Sequence, residues 1–401
     1  MIAISSGIKQ QSAKSVLYLL KILKSSTMST VTIDGSLGEG GGQVLRIALS
    51  LSVIYGIPVK ITNIRAKRPK PGLAAQHLKG VELLRDMCNA KVSYSLLGST
   101  YLSFIPGSLN SKEKIFSADT QTAGCISLLA QVAIPCALFM PSNEPVTLIL
   151  KGGTNVSMGP HIEYLTEVFK PYLNKFGADF DFTVVKRGYY PQGGGEVHLH
   201  IKPIKSLKAI TLTDPGIPNA VTGWAFTAGS VNINEGYKMK EDCKNTLLSA
   251  LAQEQTNVPI NIEVYKEERS MAVGNESGIN IVCETTTGCV FGGSGLRMEK
   301  KSPPGILAAK QILEPLSKGA CVDEHMQDQL IILMALADGV SKIRINNKEL
   351  TQHTDTAIKI AEIMLADQGL KFNLAETRDS NNLVINYDLE CKGTNKINSA
   401  L

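Results

Sequence analysis

Apolar and polar positions along this chain fall into an order that recurs. Thr30–Ile33 is a short β-branched run that reads as a strand. A polar, glycine-rich stretch separates it from Val44–Tyr55, an apolar segment of helical length closed by Gly56 and Pro58. Val59–Ile64 reads as a strand and Leu73–Asn89 as a helix, with Leu73, Leu78, Val81, Leu84 and Cys88 near a helical period. Lys91–Leu96 and Tyr101–Phe104 read as a hairpin pair. The order strand, helix, strand, helix, strand, strand then returns at Glu113–Ser117, Ala123–Phe139, Val146–Lys151, Ile162–Phe176, Ala178–Lys186 and Glu196–Ile201. It resumes at Asp323–Ala337, Ser341–Ile345, Thr354–Ala366, Lys371–Leu374 and Asn382–Tyr387, with no clear place for a first strand.

Residues 203–318 break the order, with strands near 208–213, 222–230, 258–266 and 278–292 and helices near 240–252 and 305–316. The pattern therefore predicts an α/β protein of βαβαββ repeats over 31–202 and 319–390, interrupted by a smaller inserted α/β domain at 203–318. The polar residues 391–401 are expected to be a flexible tail.

Composition narrows the class. The chain has 401 residues, enough for two or three domains. Its net charge of +5 permits a polyanionic partner without demanding one. Eight cysteines without a C-x-x-C pair suit reduced, buried thiols, and no apolar run reaches membrane-spanning length. Residues 1–30 hold four lysines, many serines and no acid, a composition that suits an organelle transit peptide. The plainer reading is a disordered extension, with Met28 near the domain edge.

The candidate chemistry gathers in a few stretches. Asp34–Arg46 places several glycines at a strand-to-helix turn, where backbone approaches a ligand closely and a helix N-terminus attracts an anion. Glu39 sits inside that turn, beside any bound phosphate, which makes it a candidate metal ligand. Arg187–Val197 is a near echo of the same turn. His353 stands at the mouth of the last long helix, where neutral imidazole is favoured and can act as a nucleophile, with Thr354 or Asp355 as possible caps. His325, Asp328 and Gln329 share one face of the preceding helix and suit a nucleoside. Arg65–His77 is the densest basic cluster, held extended by its prolines and suited to the phosphates of a single strand. His198 and His200 lie on one face of a strand without a third ligand nearby in sequence.

These stretches, together with Lys151–Asn155, Val322–Gln329 and His353–Ala357, resemble the RNA 3′-terminal phosphate cyclase family in order and over residues 31 to about 390. The resemblance implies three repeats similar to the C-terminal domain of translation initiation factor 3, plus an inserted domain. It implies a nucleotidyl transferase of the ligase class. His353 would attack the α-phosphate of ATP, and the adenylate would pass to an RNA 3′-phosphate that closes to a 2′,3′-cyclic end. It also implies a nucleotide pocket at Gln131, Pro160, His325, Asp328 and Gln329, a divalent metal (Mg or Mn) at Glu39, and phosphate or RNA contacts at Arg46, Arg65, Arg68, Gln76 and His77. Family members carry tyrosine where His325 stands, and imidazole offers adenine less stacking area. The implied partner is RNA with a 3′-terminal phosphate, without membrane or obligate protein partner, and the implied location nuclear or cytoplasmic. The cyclase-like proteins of ribosome biogenesis lack the nucleophilic histidine, and enolpyruvyl transferases, built from similar repeats, do not match these blocks.

Overall fold

The computed structural model describes residues 29–157, 159–251, 258–299 and 302–401. The expected extension at 1–30 therefore falls, but for its last two residues, outside the described residues. The first repeat runs β1 (Val31–Asp34), α1 (Gly42–Tyr55), β2 (Val59–Thr62), α2 (Ala75–Cys88), β3 (Lys91–Ser93) and β4 (Leu102–Ile105). The second runs β5 (Ile115–Asp119), α3 (Ile126–Leu138), β6 (Val146–Gly152), a π-helical segment Tyr164–Phe169 continuing as α4 (Lys170–Lys175), then β7 (Phe180–Gly188) and β8 (Gly195–Ile201). After β9 (Thr211–Leu212) come β10 (Pro218–Thr227), α5 (Asn234–Leu251), β11 (Ile260–Lys266), β12 (Ala272–Val273), β13 (Ser277–Thr285), β14 (Val290–Leu296) and α6 (Pro304–Ser317). The chain closes with α7 (Glu324–Leu336), β15 (Val340–Arg344), α8 (Gln352–Met364), β16 (Phe372–Arg378) and β17 (Val384–Lys392).

Three sheets share one topology. In each, the first strand runs parallel to the second, which needs the crossover helix between them. The second then pairs antiparallel with the fourth, and the fourth with the third: β1-β2-β4-β3, β5-β6-β8-β7 and β9-β15-β17-β16. The missing first strand of the third repeat is β9, paired parallel to β15 through Lys342↔Thr211 and Ile343↔Leu212. It lies inside the stretch 203–318 expected to be the inserted domain, so the insertion begins after Leu212, between the third repeat's first strand and first helix. The strand expected near 208–213 is thus present, but it belongs to the third repeat and not to the insertion, because its partner is β15 and nothing in two residues tells which sheet they join.

The insertion is a sheet ordered β11-β10-β13-β14, with α5 and α6 packed on it. β12 leaves it to pair with β7 at the edge of the second repeat's sheet. The histidines of β8 bond within their own sheet surface: His198 to Glu196 at 2.7 Å and His200 to Thr147 at 3.0 Å.

The helices of the three repeats pack on one another. α1 touches α2, α3 and α8, and eleven of its fourteen residues are buried, so its sequence is apolar around most of its circumference. Ser50 fits this setting because its hydroxyl donates to Arg46 O and sits 2.8 Å from Val132 O on α3. All eight cysteines are buried thiols without disulfides. No helix among the described residues is long and apolar enough to cross a membrane.

The expected flexible tail 391–401 is docked instead. β17 extends to Lys392, Thr394 Oγ1 donates to Ala335 O at 2.7 Å, and the Lys396 ammonium lies 4.5 Å from the Tyr55 ring centroid. Asn398 is buried, and its Nδ2 donates to Met140 O at 3.0 Å. Polar composition suggested solvent, but these polar groups satisfy carbonyls at helix ends. Asn398→Ala should remove one of the two hydrogen bonds that Met140 O accepts, the other coming from Ser142 N–H at 2.9 Å, and destabilise the protein by about 0.5–1.5 kcal/mol in urea unfolding. An unchanged midpoint would mean that the tail does not dock.

Candidate active site

The glycine turn after β1 is folded against α8. Glu39 N–H donates to Thr356 Oγ1 at 3.1 Å, and that hydroxyl in turn donates to Gln352 O at 2.6 Å. Gly38 has φ +59°, and a Cβ there would lie 2.0 Å from Thr356 Oγ1, so conformation and contact both require glycine. The turn delivers the Glu39 carboxylate, only 6% exposed, to two partners. Arg68 Nη2 donates to Oε2 at 2.6 Å, and His353 Nε2 lies 3.3 Å from the same oxygen. His353 is the second residue of α8, and its side chain is 53% exposed. Thr351 caps that helix, accepting from Thr354 N–H, one turn earlier than the caps the sequence suggested.

Several helix N-termini meet around this centre. Gly42 opens α1, and a Cβ on it would press 2.4 Å from His77 Nε2 and 3.0 Å from Arg46 Nη1. Gln76 Oε1 accepts from the backbone N–H of Cys125, the cap of α3, at 2.9 Å. Cys125 Sγ donates to Pro160 O at 3.4 Å, which brings the turn before the π-helical segment to the same place. Gln131 is half-buried on α3, one turn beyond Ser127, whose hydroxyl donates to His161 O. The N-terminal half of α7 supplies Asp328, whose charge is felt at Arg46. His325 is exposed and meets Tyr164 edge-on, ring centroids 6.1 Å apart.

The structure therefore brings together Glu39, Arg46, Arg68, His77, Asp328 and His353, with Gln76 and Pro160 linked behind them. Two expected contacts are engaged in their own backbone. Arg65 donates to Lys70 O and Gly72 O, clamping the basic loop, and Gln329 Nε2 donates to His325 O at 2.8 Å. Among the described residues no group of three or more His, Cys, Asp or Glu is arranged to hold a metal. Glu39 offers one carboxylate, so a cation there would need its remaining ligands from a bound phosphate chain.

Sequence reasoning passed over Asp323, an ordinary-looking helix cap. Its carboxylate accepts from His325 N–H, Met326 N–H, the Tyr164 hydroxyl at 2.6 Å and Gly292 N–H of the insertion at 3.1 Å. It thereby joins second repeat, third repeat and insertion beside the site. The π-helical opening of the segment after Pro160 carries Tyr164, an irregularity often found at functional sites.

The electrostatics are those of a desolvated basic bowl. Burial and the nearby Arg46, Arg65 and Arg68 push the His77 imidazole down to about 3, so it is neutral at physiological pH, and its Nδ1 is buried without a partner. Burial raises the Asp328 carboxyl to about 6, against the pull of Arg46, His353 and His325. Its folded-state value exceeds that of the unfolded chain, so its contribution favours folding at low pH and is lost as pH rises through about 6. Asp328→Asn should therefore raise the urea midpoint at neutral pH, and the gain should vanish below about pH 4, where an unfolded aspartate is itself protonated. A gain independent of pH would contradict this assignment.

Comparison with known proteins shows the family. The family model for RNA 3′-terminal phosphate cyclase matches residues 37–370. The chain is 39% identical over 371 residues to a Drosophila melanogaster protein of that name, covering 92% of this chain and 98% of that one. It is 38% identical over 346 residues to the RNA 3′-terminal phosphate cyclase of Pyrobaculum neutrophilum, covering 86% and 94%. A Dictyostelium discoideum protein named probable RNA 3′-terminal phosphate cyclase is 34% identical over 340 residues, covering 83% and 76%. With the family match spanning most of the chain, this protein belongs to the RNA 3′-terminal phosphate cyclase family.

Proposed function

We propose that this protein converts an RNA 3′-phosphate to a 2′,3′-cyclic phosphate at the expense of ATP, with His353 as the nucleophile. The observation that carries this reading is an exposed imidazole at a helix N-terminus, its Nε2 aligned on Glu39 and the arginines Arg46 and Arg68 close by. An imidazole nitrogen attacks the α-phosphorus, an N–P bond forms, and the P–O bond to diphosphate breaks. Backbone N–H groups at the helix mouth suit the oxygens of that phosphate. An oxygen of the RNA 3′-phosphate then attacks the same phosphorus, and the electron pair of the N–P bond returns to the imidazole. The neighbouring 2′-hydroxyl finally attacks the RNA phosphorus, loses its proton and expels AMP. Adenylation turns a poor leaving group into a good one, and the enzyme's part in the last step is to hold the reacting groups in line.

Within this reading Arg46 and Arg68 stabilise phosphate charge, Asp328 and His325 face the nucleoside, and Gln131 and Pro160 border its pocket. A divalent metal, Mg or Mn, would be held by Glu39 together with triphosphate oxygens and would neutralise their charge. A soluble location in nucleus or cytoplasm suits such an enzyme.

The deciding experiment follows from the chemistry of the bond. A histidine–AMP adduct is a phosphoramidate, stable in alkali and labile in acid. Protein mixed with α-labelled ATP and a divalent metal should acquire AMP with that profile, and His353→Ala and His353→Asn should both abolish it. Both variants should still close RNA supplied already adenylated at its 3′ end. Label persisting in His353→Ala, or stable to acid, would defeat the covalent mechanism. Glu39→Ala should slow adenylation on the order of a hundredfold, recovering in part at higher metal concentration. It also frees Arg68, so an unchanged rate would leave Glu39 a structural partner only.

A further inference from the structure

We propose that the turn between β3 and β4, residues 94–101, is a further RNA-contact site that takes the single strand just upstream of the reacting 3′ end. The inference rests on the cyclase reading and extends it from the terminal phosphate to the nucleotides behind it.

Topology sets the turn beside the catalytic centre. β1 and β2 are parallel and end side by side, at Asp34↔Thr62. β4 is antiparallel to β2 and starts at that same end, with Leu102 opposite Ile61, and β3 ends there too, with Ser93 opposite Ser103. One rim of the sheet therefore carries, in spatial order, the glycine turn with Glu39, the basic loop after β2, and the β3–β4 turn. Three interstrand steps span about 14 Å, a run of several nucleotides rather than one. The basic loop and the turn are clamped together: Leu73 N–H donates to Ser99 O, Gly98 N–H to Leu73 O and Ile64 N–H to Thr100 O. A Cβ on Gly72 would lie 2.1 Å from Gly98 O.

The turn has the surface such a site needs. Tyr94, Leu96 and Leu97 are 63%, 70% and 69% exposed, a concentration of solvent-facing apolar side chains with no role in the core. Tyr94 has φ +62°, an uncommon conformation for a bulky residue, and its ring is braced edge-on by Tyr101 at 5.0 Å. The free ring face is a platform on which a base stacks regardless of its identity. On the basic loop beside it Lys67 and Lys70 are exposed, Lys67 donating to Gly38 O at 2.7 Å, and neither they nor Arg65 has an ion pair with a carboxylate among the described residues. Aromatic and apolar surface on the same rim as these cations fits bases and phosphates of one strand. An apolar protein partner would have no use for the cations.

The test compares RNA lengths. Binding is followed by fluorescence anisotropy without ATP, using a labelled oligoribonucleotide 3′-phosphate, with a dinucleotide 3′-phosphate as competitor. Tyr94→Ala should weaken the oligoribonucleotide about tenfold and leave the dinucleotide unchanged, and Tyr94→Phe should restore binding. The Tyr94→Ala loss should persist at high salt, whereas the loss in Lys70→Ala should shrink, because only the latter is screened. Independently, 4-thiouridine placed a few nucleotides from the 3′ end should crosslink to residues 94–101 of the unaltered protein. Equal loss for both RNAs, no loss, or crosslinks elsewhere would overturn the proposal. So would a concentration-dependent dimer in sedimentation that Leu96→Ser dissolves, which would make the turn a contact between copies. Failure of the unaltered protein to take AMP from ATP would instead count against the cyclase reading, since the binding comparison needs no turnover.

Discussion

One carboxylate ties the glycine turn of the first repeat to the last long helix of the third. Glu39 is almost wholly buried, and a charge taken out of water is tolerable only when paired. Its partners come from two places, Arg68 from the basic loop and His353 from α8. Neither can move away without leaving the other to meet the charge alone. The backbone of the same residue is tied to Thr356, 317 positions along the chain. Side chain and main chain thus fix the imidazole relative to the glycine turn before any substrate arrives, the kind of preorganisation that polar catalysis depends on.

The surroundings are arranged for an anion. Arg46 is half-buried, and its guanidinium is destabilised by partial desolvation and sustained by Asp328 and Glu39. The neighbouring His77 stays neutral because burial disfavours its charged form and the three arginines repel a further positive charge. A protein optimised for stability alone would not gather half-buried cations, an uncharged imidazole and a raised carboxyl at one spot. A phosphate chain entering the bowl would meet charges already partly desolvated and already held in place.

Much of this was legible in the residues, and the exceptions share a cause. The long apolar helices are visible because their periodicity is tertiary packing written into sequence; α1 is buried so completely that its reading needed no partner. His353 at a helix mouth is visible for the same local reason. Glu39 was visible as a carboxylate in a phosphate-like turn, yet nothing local announces that Arg68 and His353 converge on it. The two residues of β9 acquire their identity from β15, and Asn398 its burial from Met140 O. Asp323 reads as a common cap until Tyr164 and Gly292 arrive from elsewhere. Local spacing reports which side chains share a face, and contacts between repeats are where it stops.

The packing of α1 against α8 also constrains how the protein is made. α1 leaves the ribosome early, apolar on nearly every side, while α8 follows roughly 300 residues later. At about 5–20 residues per second that interval is roughly 15–60 s. The insertion lengthens it, because it lies between the third repeat's first strand and the helices that complete the core. Throughout that time part of the central helix has no permanent neighbour, so the nascent chain depends on provisional contacts or a chaperone to stay soluble. The position of His353 on the last long helix then has a second meaning: it meets Glu39 only when synthesis is almost over, and a chain truncated before α8 lacks that pair.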